Sequence, residues 1–317
     1  MSFQKEQIQD RARGALLGLA VGDALGAGYE FKPPLSREIP VEFLASSHFE
    51  LGEYTDDTAQ AIAIARSITR SDVSQNLDEV AKEFFSWYDS GPADIGIQTR
   101  RVFSATAEPR MASELLEASN DYLDTHQLAA GNGSLMRTAP VALPFLSRPE
   151  LIDQVASEVS SLTHADLTCR EACVIWSKAI RHAILFESFD GIQLAVNDLP
   201  TFRQSYWNDL FDEADAAEEP AYFAKNGWVI HAIQAAYKAI MVSATETPEH
   251  LILGIEEAVR VGNDTDTVAA IAGSLLGARW GYSNIPKEYL EPLHGWPGYL
   301  AKDLVDLADQ ITEPIWE

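Results

Sequence analysis

The chain has 317 residues, and 46% of them are hydrophobic, so it can bury a full core in one large domain or two small ones. Its 48 acidic residues face only 23 Lys and Arg, a formal net charge of −25. We therefore expect no nucleic-acid partner and no membrane partner, because this charge repels both and no local basic patch is visible in the sequence.

The termini and cysteines indicate a cytoplasmic protein. The first ten residues are polar and charged, unlike a secretory signal. The apolar run at 15–27 is interrupted by Asp23 and by glycines, and it is too short to span a bilayer. Cys169 and Cys173 are four residues apart in a helical pattern, which favours reduced thiols over a structural disulfide or a metal site.

Helical periodicity dominates the chain, and strand-like alternation is nearly absent. No linker rich in Pro, Gly or Ser divides the sequence, so we predict a single all-α domain over residues 1–317. An acidic stretch at 213–219 is predicted to be an exposed loop. The predicted helices include 77–88, 134–146, 151–162, 169–186, 227–241, 250–261 and 265–280.

Two segments carry glycine at every fourth position. The first has Gly14, Gly18, Gly22 and Gly26, and the second has 273, 277 and 281. Each glycine costs helix stability relative to alanine, so a whole stripe needs a reason. Residues at this spacing share one helix face, which predicts two central helices packed closely in the core rather than a ligand contact.

Two acidic motifs each precede an apolar helix: YTDDT at 54–58 and GNDTDT at 262–267. Helix N-capping is the alternative interpretation, since Thr, Asp and Asn satisfy free backbone N–H groups there. Capping explains one or two acidic residues per helix. It does not explain the pairs Asp56 and Asp57, and Asp264 and Asp266, at the start of helices that must be buried.

Buried carboxylates repel one another unless cations neutralise them. Four carboxylates with neighbouring hydroxyls and no Cys or His form an oxygen-only ligand set, which suits Mg²⁺, Mn²⁺ or Ca²⁺ rather than Zn²⁺. If the two motifs meet in space, they could hold two ions, polarise a substrate oxygen and activate water.

Two further segments suggest ligand contacts. In GNGS at 131–134 the glycines leave backbone N–H groups open to an anion, although a plain helix-entry turn is an equal alternative. The segment SGPADIGIQT at 90–99 is a loop with a possible polar rim, and it is a weak signal alone.

Together these motifs closely resemble the ADP-ribosylglycohydrolase family. The resemblance runs from about residue 11 to 281 and keeps the family's order: GDALG at 22–26 with Glu30 and Phe31, TDDT at 55–58, GNGSLMR at 131–137, Thr163 and His164, and DTDT at 264–267. One departure is Asn263, where many members carry a second glycine before the aspartate.

The resemblance implies an all-α fold with a dinuclear Mg²⁺ or Mn²⁺ centre at the bottom of a cleft. The implied metal ligands are Thr55, Asp56, Asp57, Asp264, Asp266 and Thr267. The implied ADP-ribose contacts are Asp94, Gly96, Gly131, Asn132, Gly133, Ser134 and His164, with the diphosphate on the loop 131–134.

The resemblance also places Glu30 beside the metals and the scissile ribose, and we place Asp23 behind the ligands as a buried partner. The alternative for Glu30 is a surface carboxylate at a helix end, and for His164 a cap-like residue before a helix.

The predicted function is hydrolysis of the bond between ADP-ribose and an ADP-ribosylated protein or other acceptor, with Glu30 or Asp57 as the base. Three alternatives are a degenerate protein that binds ADP-ribose without cleaving it, a scaffold with acidic caps, and hydrolysis of another small substrate. The sequence leaves the acceptor open among arginine, serine, other side chains, nucleobases and free derivatives.

Overall fold

The computed structural model describes residues 2–126 and 128–316, and α-helices carry most of them, which confirms the all-α prediction. The helices are α1 (Ser2–Gly26), α2 (Asp56–Ile68), α3 (Asp78–Tyr88), α4 (Ile97–Ala105), α5 (Ala112–Thr125), α6 (Ile152–Ser161), α7 (Leu167–Phe186), α8 (Gly191–Asn197), α9 (Thr201–Ala216), α10 (Val229–Val242), α11 (His250–Arg260), α12 (Thr265–Trp280), α13 (Lys287–Leu290) and α14 (Ala301–Thr312).

Short elements join these helices. Two strands, β1 (His294–Gly295) and β2 (Tyr299–Leu300), pair antiparallel, with Gly295 opposite Tyr299. Single 3₁₀ turns or short 3₁₀ helices lie at Ala27–Tyr29, Ala139–Phe145, Pro149–Leu151, Pro220–Phe223, Tyr282–Asn284 and Glu313–Trp316. Within the described ranges, no helix is both long and apolar enough to cross a membrane.

The helices α1 and α12 form the centre of the fold, and their glycines face each other. A Cβ atom on Gly18 would lie 2.1 Å from the carbonyl oxygen of Gly273, and one on Gly14 would lie 2.2 Å from that of Gly277. These distances are far below van der Waals contact, so any side chain would force the helices apart. The prediction of close packing is confirmed.

The same contact continues to the ends of both helices. A Cβ on Gly26 would lie 2.5 Å from the Cα of Asp266. The C-terminal end of α1 therefore touches the first turn of α12, where the second acidic motif lies. The remaining helices pack around this pair, and their buried apolar side chains form one continuous cluster that includes Trp87, Trp176 and Trp207.

Two sequence predictions about local structure were wrong. Residues 134–146 form turns and the 3₁₀ helix Ala139–Phe145 rather than an α-helix, because Pro140 and Pro144 cannot donate the backbone hydrogen bonds an α-helix needs. The stretch 213–219 is not wholly a loop, since Glu213 and Asp215 belong to the last turns of α9. The other predicted helices are confirmed to within a few residues at each end.

Candidate active site

The first turn of α2 is held by a carboxylate from another helix. Asp23, fully buried on α1, accepts hydrogen bonds from the backbone N–H groups of Thr55 at 2.9 Å and Thr58 at 2.9 Å, and from the Thr58 hydroxyl at 2.5 Å. The free N–H groups at the start of a helix readily bind an anion. Asp23 therefore fixes where the carboxylates of Asp56 and Asp57 lie.

The two acidic motifs meet at this point. Carboxylate oxygens of Asp23, Asp57 and Asp266 lie within 4.8 Å of one another, and so do those of Glu30, Asp264 and Asp266. Asp266 belongs to both groups and joins them into one cluster. One buried oxygen of Asp57, Oδ1, has no hydrogen-bond partner among the described residues, although a buried polar atom normally has one.

Burial and mutual repulsion make every charged form in this cluster costly. Burial, together with the charges of Asp264 and Asp94, raises the pKa of Glu30 to about 8. Burial and the charges of Asp94 and Asp23 raise the pKa of Asp56 to about 7. The pKa values of Asp57 and Asp266 are raised well above the usual range, again by burial first and neighbouring carboxylates second.

A glycine loop forms the opposite wall. The Asn132 side-chain amide donates to the Oδ2 of Asp264 at 2.8 Å and to the carbonyl of Asn226 at 2.8 Å. Asn226 in turn accepts from the backbone N–H of Asp264 at 3.1 Å. These bonds tie the loop to the start of α12. Asn226 therefore supports this junction, and α10 begins after it at Val229.

The imidazole of His164 packs against this loop. A Cβ on Gly131 would lie 3.3 Å from its Nε2, and one on Gly133 would lie 3.0 Å from its Cε1. Both positions therefore need glycine to let the imidazole approach. His164 is 2% exposed, and burial followed by the charge of Arg137 lowers the pKa of its imidazole well below the usual value, which favours the neutral ring.

The segment after α1 reaches the cluster through an unusual backbone. Phe31 and Asn263 both have left-handed conformations, with φ of 59° and 61°. The Phe31 N–H donates to the Asn263 carbonyl at 2.6 Å, and the Asn263 N–H donates to the Lys32 carbonyl at 2.8 Å. Asn tolerates this conformation better than most residues, so the replacement of a glycine at 263 keeps the turn. This pairing fixes Glu30 beside α12.

Most of these groups line one cavity of about 550 Å³, a volume within the usual range for small-molecule sites. Carboxylates occupy one part of its wall, and the glycine loop, His164 and the residues around the start of α4 occupy another. A deep cavity with clustered titratable groups of shifted pKa is the arrangement expected of an enzyme site.

The comparison with protein families decides which class of enzyme this is. The family model described as ADP-ribosylglycohydrolase matches residues 4–316. The chain belongs to the ADP-ribosylglycohydrolase family. Membership indicates a hydrolase of ADP-ribosyl linkages and confirms the resemblance seen in the motifs.

Individual members are similar along nearly their whole length. The ADP-ribosyl-[dinitrogen reductase] glycohydrolase of Rhodospirillum rubrum is 27% identical over 90% of this chain and 91% of that protein. The ADP-ribosylarginine hydrolase Tri1 of Pseudomonas putida is 29% identical over 97% of this chain and 81% of that protein. A solved ADP-ribosylglycohydrolase-related protein complex superposes with a TM-score of 0.73 at 27% identity, covering 97% of this chain and 99% of that one.

Most of the residues proposed from the family motifs line the cavity. They are Glu30, Asp56, Asp57, Asp94, Gly96, Gly131, Asn132, Gly133, His164, Asp264, Asp266 and Thr267. The cap of α7 is Asp166 rather than His164. Glu30 does lie at a helix end, directly after the 3₁₀ helix Ala27–Tyr29, but it is half-buried and lines the cavity.

Two proposed residues lie just behind the cavity wall. The Thr55 hydroxyl donates to the Oδ2 of Asp57 at 3.2 Å, and Thr55 is 2% exposed. The Ser134 hydroxyl is buried and accepts from Ser160 at 2.9 Å, and the Cys173 thiol lies 3.5 Å from it. The two cysteines are free, in line with the predicted reduced thiols, and the structure buries both. The Cys169 thiol donates to the carbonyl of Gly131 at 3.3 Å.

Several cavity residues were missed by sequence reasoning. Gln98 and Thr99 belong to the first turn of α4, so the prediction of a loop over 90–99 was wrong for its last three residues. Tyr122 and Leu128 come from α5 and the segment after it, where no local pattern distinguishes them from ordinary amphipathic positions.

Proposed function

We propose that this protein is a divalent-metal-dependent hydrolase that cleaves the bond between ADP-ribose and a modified acceptor, reversing ADP-ribosylation. The observation that carries the proposal is the carboxylate cluster around Asp266, in which two groups of three carboxylates share one residue. We also propose that the whole chain is one domain, since its buried apolar residues form one continuous core.

The residues present fit two hard cations such as Mg²⁺ or Mn²⁺. Both groups contain carboxylates alone, which is the ligand chemistry these ions prefer. The unpartnered Oδ1 of Asp57 is an acceptor without a donor, as a metal ligand would be. The proposed ligands are Asp56, Asp57, Asp264 and Asp266 with the Thr55 and Thr267 hydroxyls, and Asp23 positions α2 from behind.

When bound, such ions supply Lewis-acid polarisation of substrate oxygens and an activated water. The protein's own groups then have separate tasks. The loop 131–134 offers backbone N–H groups to the diphosphate, and Asn132 ties that loop to Asp264 at 2.8 Å. Glu30 stands beside Asp264 and Asp266, where a carboxylate can accept a proton from water and favour the positive charge that develops as the C1″ bond breaks.

The test is release of ADP-ribose from defined acceptors in the presence of Mg²⁺, Mn²⁺ or a chelator. The panel begins with ADP-ribosylarginine, because the relative from Pseudomonas putida is named for that acceptor, and it includes ADP-ribosylserine and free ADP-ribose derivatives. We expect release with metal and none with chelator. The control is Asp306→Asn, which removes an exposed carboxylate on α14 and should release ADP-ribose as the wild type does.

Release that persists in chelator would overturn the metal requirement. Binding of ADP-ribose without release from any acceptor would favour a protein that only binds it. Neither binding nor release would overturn the proposed function.

A further inference from the structure

A buried guanidinium connects the two walls of the cavity. Arg137 is 0% exposed, and its guanidinium donates to the Oε1 of Gln60 and, at 2.6 Å, to the hydroxyl of Thr163. The side-chain amide of Gln60 in turn donates to the Oδ2 of Asp56 at 3.0 Å. The hydroxyl oxygen of Thr163 lies 2.8 Å from the Nδ1 of His164, within hydrogen-bond distance. One side chain thereby contacts the supports of both the carboxylate cluster and the histidine.

Arg137 lies in this position without a carboxylate of its own. No ion pair joins it to an acidic group in the described part of the chain, and its guanidinium stacks on the ring of Phe84 at 4.4 Å from the ring centre. A buried charge without a counterion is costly.

The direction of the bond between Thr163 and His164 follows from proton counting. The Thr163 oxygen accepts from Arg137, so one of its lone pairs is occupied. A hydroxyl has one proton to donate, and among the described residues Nδ1 of His164 is its only acceptor. If Nδ1 carried a proton, it would donate to the second lone pair of the Thr163 oxygen, and the buried hydroxyl proton would then have no acceptor among the described residues, at a cost in free energy. These contacts favour the tautomer of His164 with its proton on Nε2.

The Nε2 atom faces the glycine loop of the cavity. Positions where Gly131 and Gly133 would carry Cβ atoms lie 3.3 Å and 3.2 Å from it. No hydrogen-bond acceptor for Nε2 is present among residues 2–126 and 128–316. Nε2 is a donor without a partner at the edge of the cavity, where an oxygen of a bound ligand could accept from it.

We propose that Arg137 and Thr163 are positioning residues that hold His164 as a neutral hydrogen-bond donor, with its proton on Nε2, for an oxygen atom of the ADP-ribose moiety. This rests on the proposed function for the identity of the ligand, whereas the tautomer itself is a property of the free protein. The arrangement gives the site a donor that stays uncharged, because burial and the nearby guanidinium oppose protonation of the ring.

Arginine is required here because of its geometry. Its planar fork donates in two fixed directions, to Gln60 and to Thr163, while its face packs on Phe84. A lysine has the same charge but a single ammonium group and no flat face. Lysine at 137 should therefore lose one of the two bonds and release either Gln60 or Thr163.

The experiment measures the tautomer directly and the affinity separately. Histidine-selective ¹⁵N labelling reports which ring nitrogen carries the proton, and loss of one signal pair in His164→Gln assigns His164. The matched variants are Thr163→Val, which keeps the shape without the hydroxyl, and Thr163→Ser, which keeps the hydroxyl. The affinity for ADP-ribose is measured by calorimetry with Mg²⁺ present.

We expect wild type and Thr163→Ser to carry the proton on Nε2, and Thr163→Val to lose this preference. ADP-ribose should bind about tenfold more weakly to Thr163→Val than to Thr163→Ser, the scale of one lost hydrogen bond. Arg137→Lys should resemble Thr163→Val where the lysine releases Thr163, and it should leave His164 as in the wild type where it releases Gln60 instead. If Arg137→Lys fails to fold, the two Thr163 variants decide the matter alone.

A proton on Nδ1 of His164 in the wild type would overturn the inference. So would equal tautomer populations or equal ADP-ribose affinities in Thr163→Val and Thr163→Ser. If the wild type binds no ADP-ribose at all, the proposed function fails, but the spectra of the free protein still decide whether Thr163 sets the tautomer.

Discussion

The carboxylates of Asp57 and Asp266 start from the first turns of two different helices, and their oxygens lie within 4.8 Å of each other. The glycine stripe makes this possible, since only a glycine at position 26 lets α1 reach the backbone of Asp266, while Asp23 of the same helix caps α2. One helix therefore positions both halves of the acidic cluster. The charged carboxylates of this cluster repel one another unless a cation binds among them.

Replacing Asp266 by Asn should separate stability from activity. Asn keeps the shape and the oxygen that accepts from the Thr267 N–H at 3.0 Å, but it removes one charge from both carboxylate groups. We expect the metal-free protein to melt a few degrees higher, since repulsion falls, while the rise in Tm on adding Mg²⁺ disappears. Turnover should fall more than about a hundredfold. Differential scanning fluorimetry measures the Tm, and ADP-ribose release measures the turnover. Asp306→Asn is the control. A rise in Tm with Mg²⁺ as large in Asp266→Asn as in the wild type would contradict the ligand assignment.

The metal-free protein should lose stability as the pH rises. In the unfolded chain Asp and Glu release their protons near pH 4. In the fold, the pKa of Asp56 is about 7 and that of Glu30 about 8. Between these values the folded state holds more protons than the unfolded state, so its stability is greatest at low pH and falls as the pH rises from about 4 to 8.

The measurement is Tm at pH 5, 7 and 9, with chelator or with Mg²⁺. The upward shift caused by Mg²⁺ should grow with pH, because the ions bind the deprotonated carboxylates. Glu30→Gln, which removes one of the titrating groups, should show a shallower fall in chelator. A metal-free Tm that is constant or rises over this range would mean that the carboxylates are not held as the structure places them.

Gly18→Ala should destabilise the protein strongly. The added methyl group would lie 2.1 Å from the carbonyl oxygen of Gly273, and neither backbone can move without separating α1 from α12. The expected loss is about 3 kcal/mol or more in the free energy of unfolding, the upper range for overpacking. Gly96→Ala is the control, because its φ is −53° and a Cβ there meets nothing closer than the Thr99 hydroxyl at 3.9 Å. Equal stability of the two variants, in urea titrations, would contradict the packing argument.

The sequence was sufficient to predict the features that depend on local spacing. Glycines four residues apart predict a helix face, and acidic pairs before apolar helices predict carboxylates at buried helix starts. The sequence could not show that Asp23 caps α2, because that contact joins residues 32 and 35 positions apart. Nor could it show the bonds from Arg137 to Gln60 and Thr163, which bring together three segments of the chain.

The last prediction separates catalysis from binding, and it rests on Glu30. This residue lies after α1, half-buried beside Asp264 and Asp266, and it belongs to neither of the two acidic motifs. Glu30→Gln keeps the size and hydrogen-bonding capacity of the side chain but removes its basicity. If Glu30 accepts a proton or supports the developing positive charge, turnover should fall about a hundredfold or more.

Affinity for ADP-ribose should change little in Glu30→Gln, because the proposed diphosphate contacts of the loop 131–134 and the proposed metal ligands are unchanged. The exposed Glu38→Gln is the control and should match the wild type in both rate and affinity. The two measurements are the hydrolysis rate and the calorimetric Kd. An unchanged rate would remove Glu30 from catalysis and leave Asp57 as the candidate base, whereas parallel loss of rate and affinity would make Glu30 a binding residue.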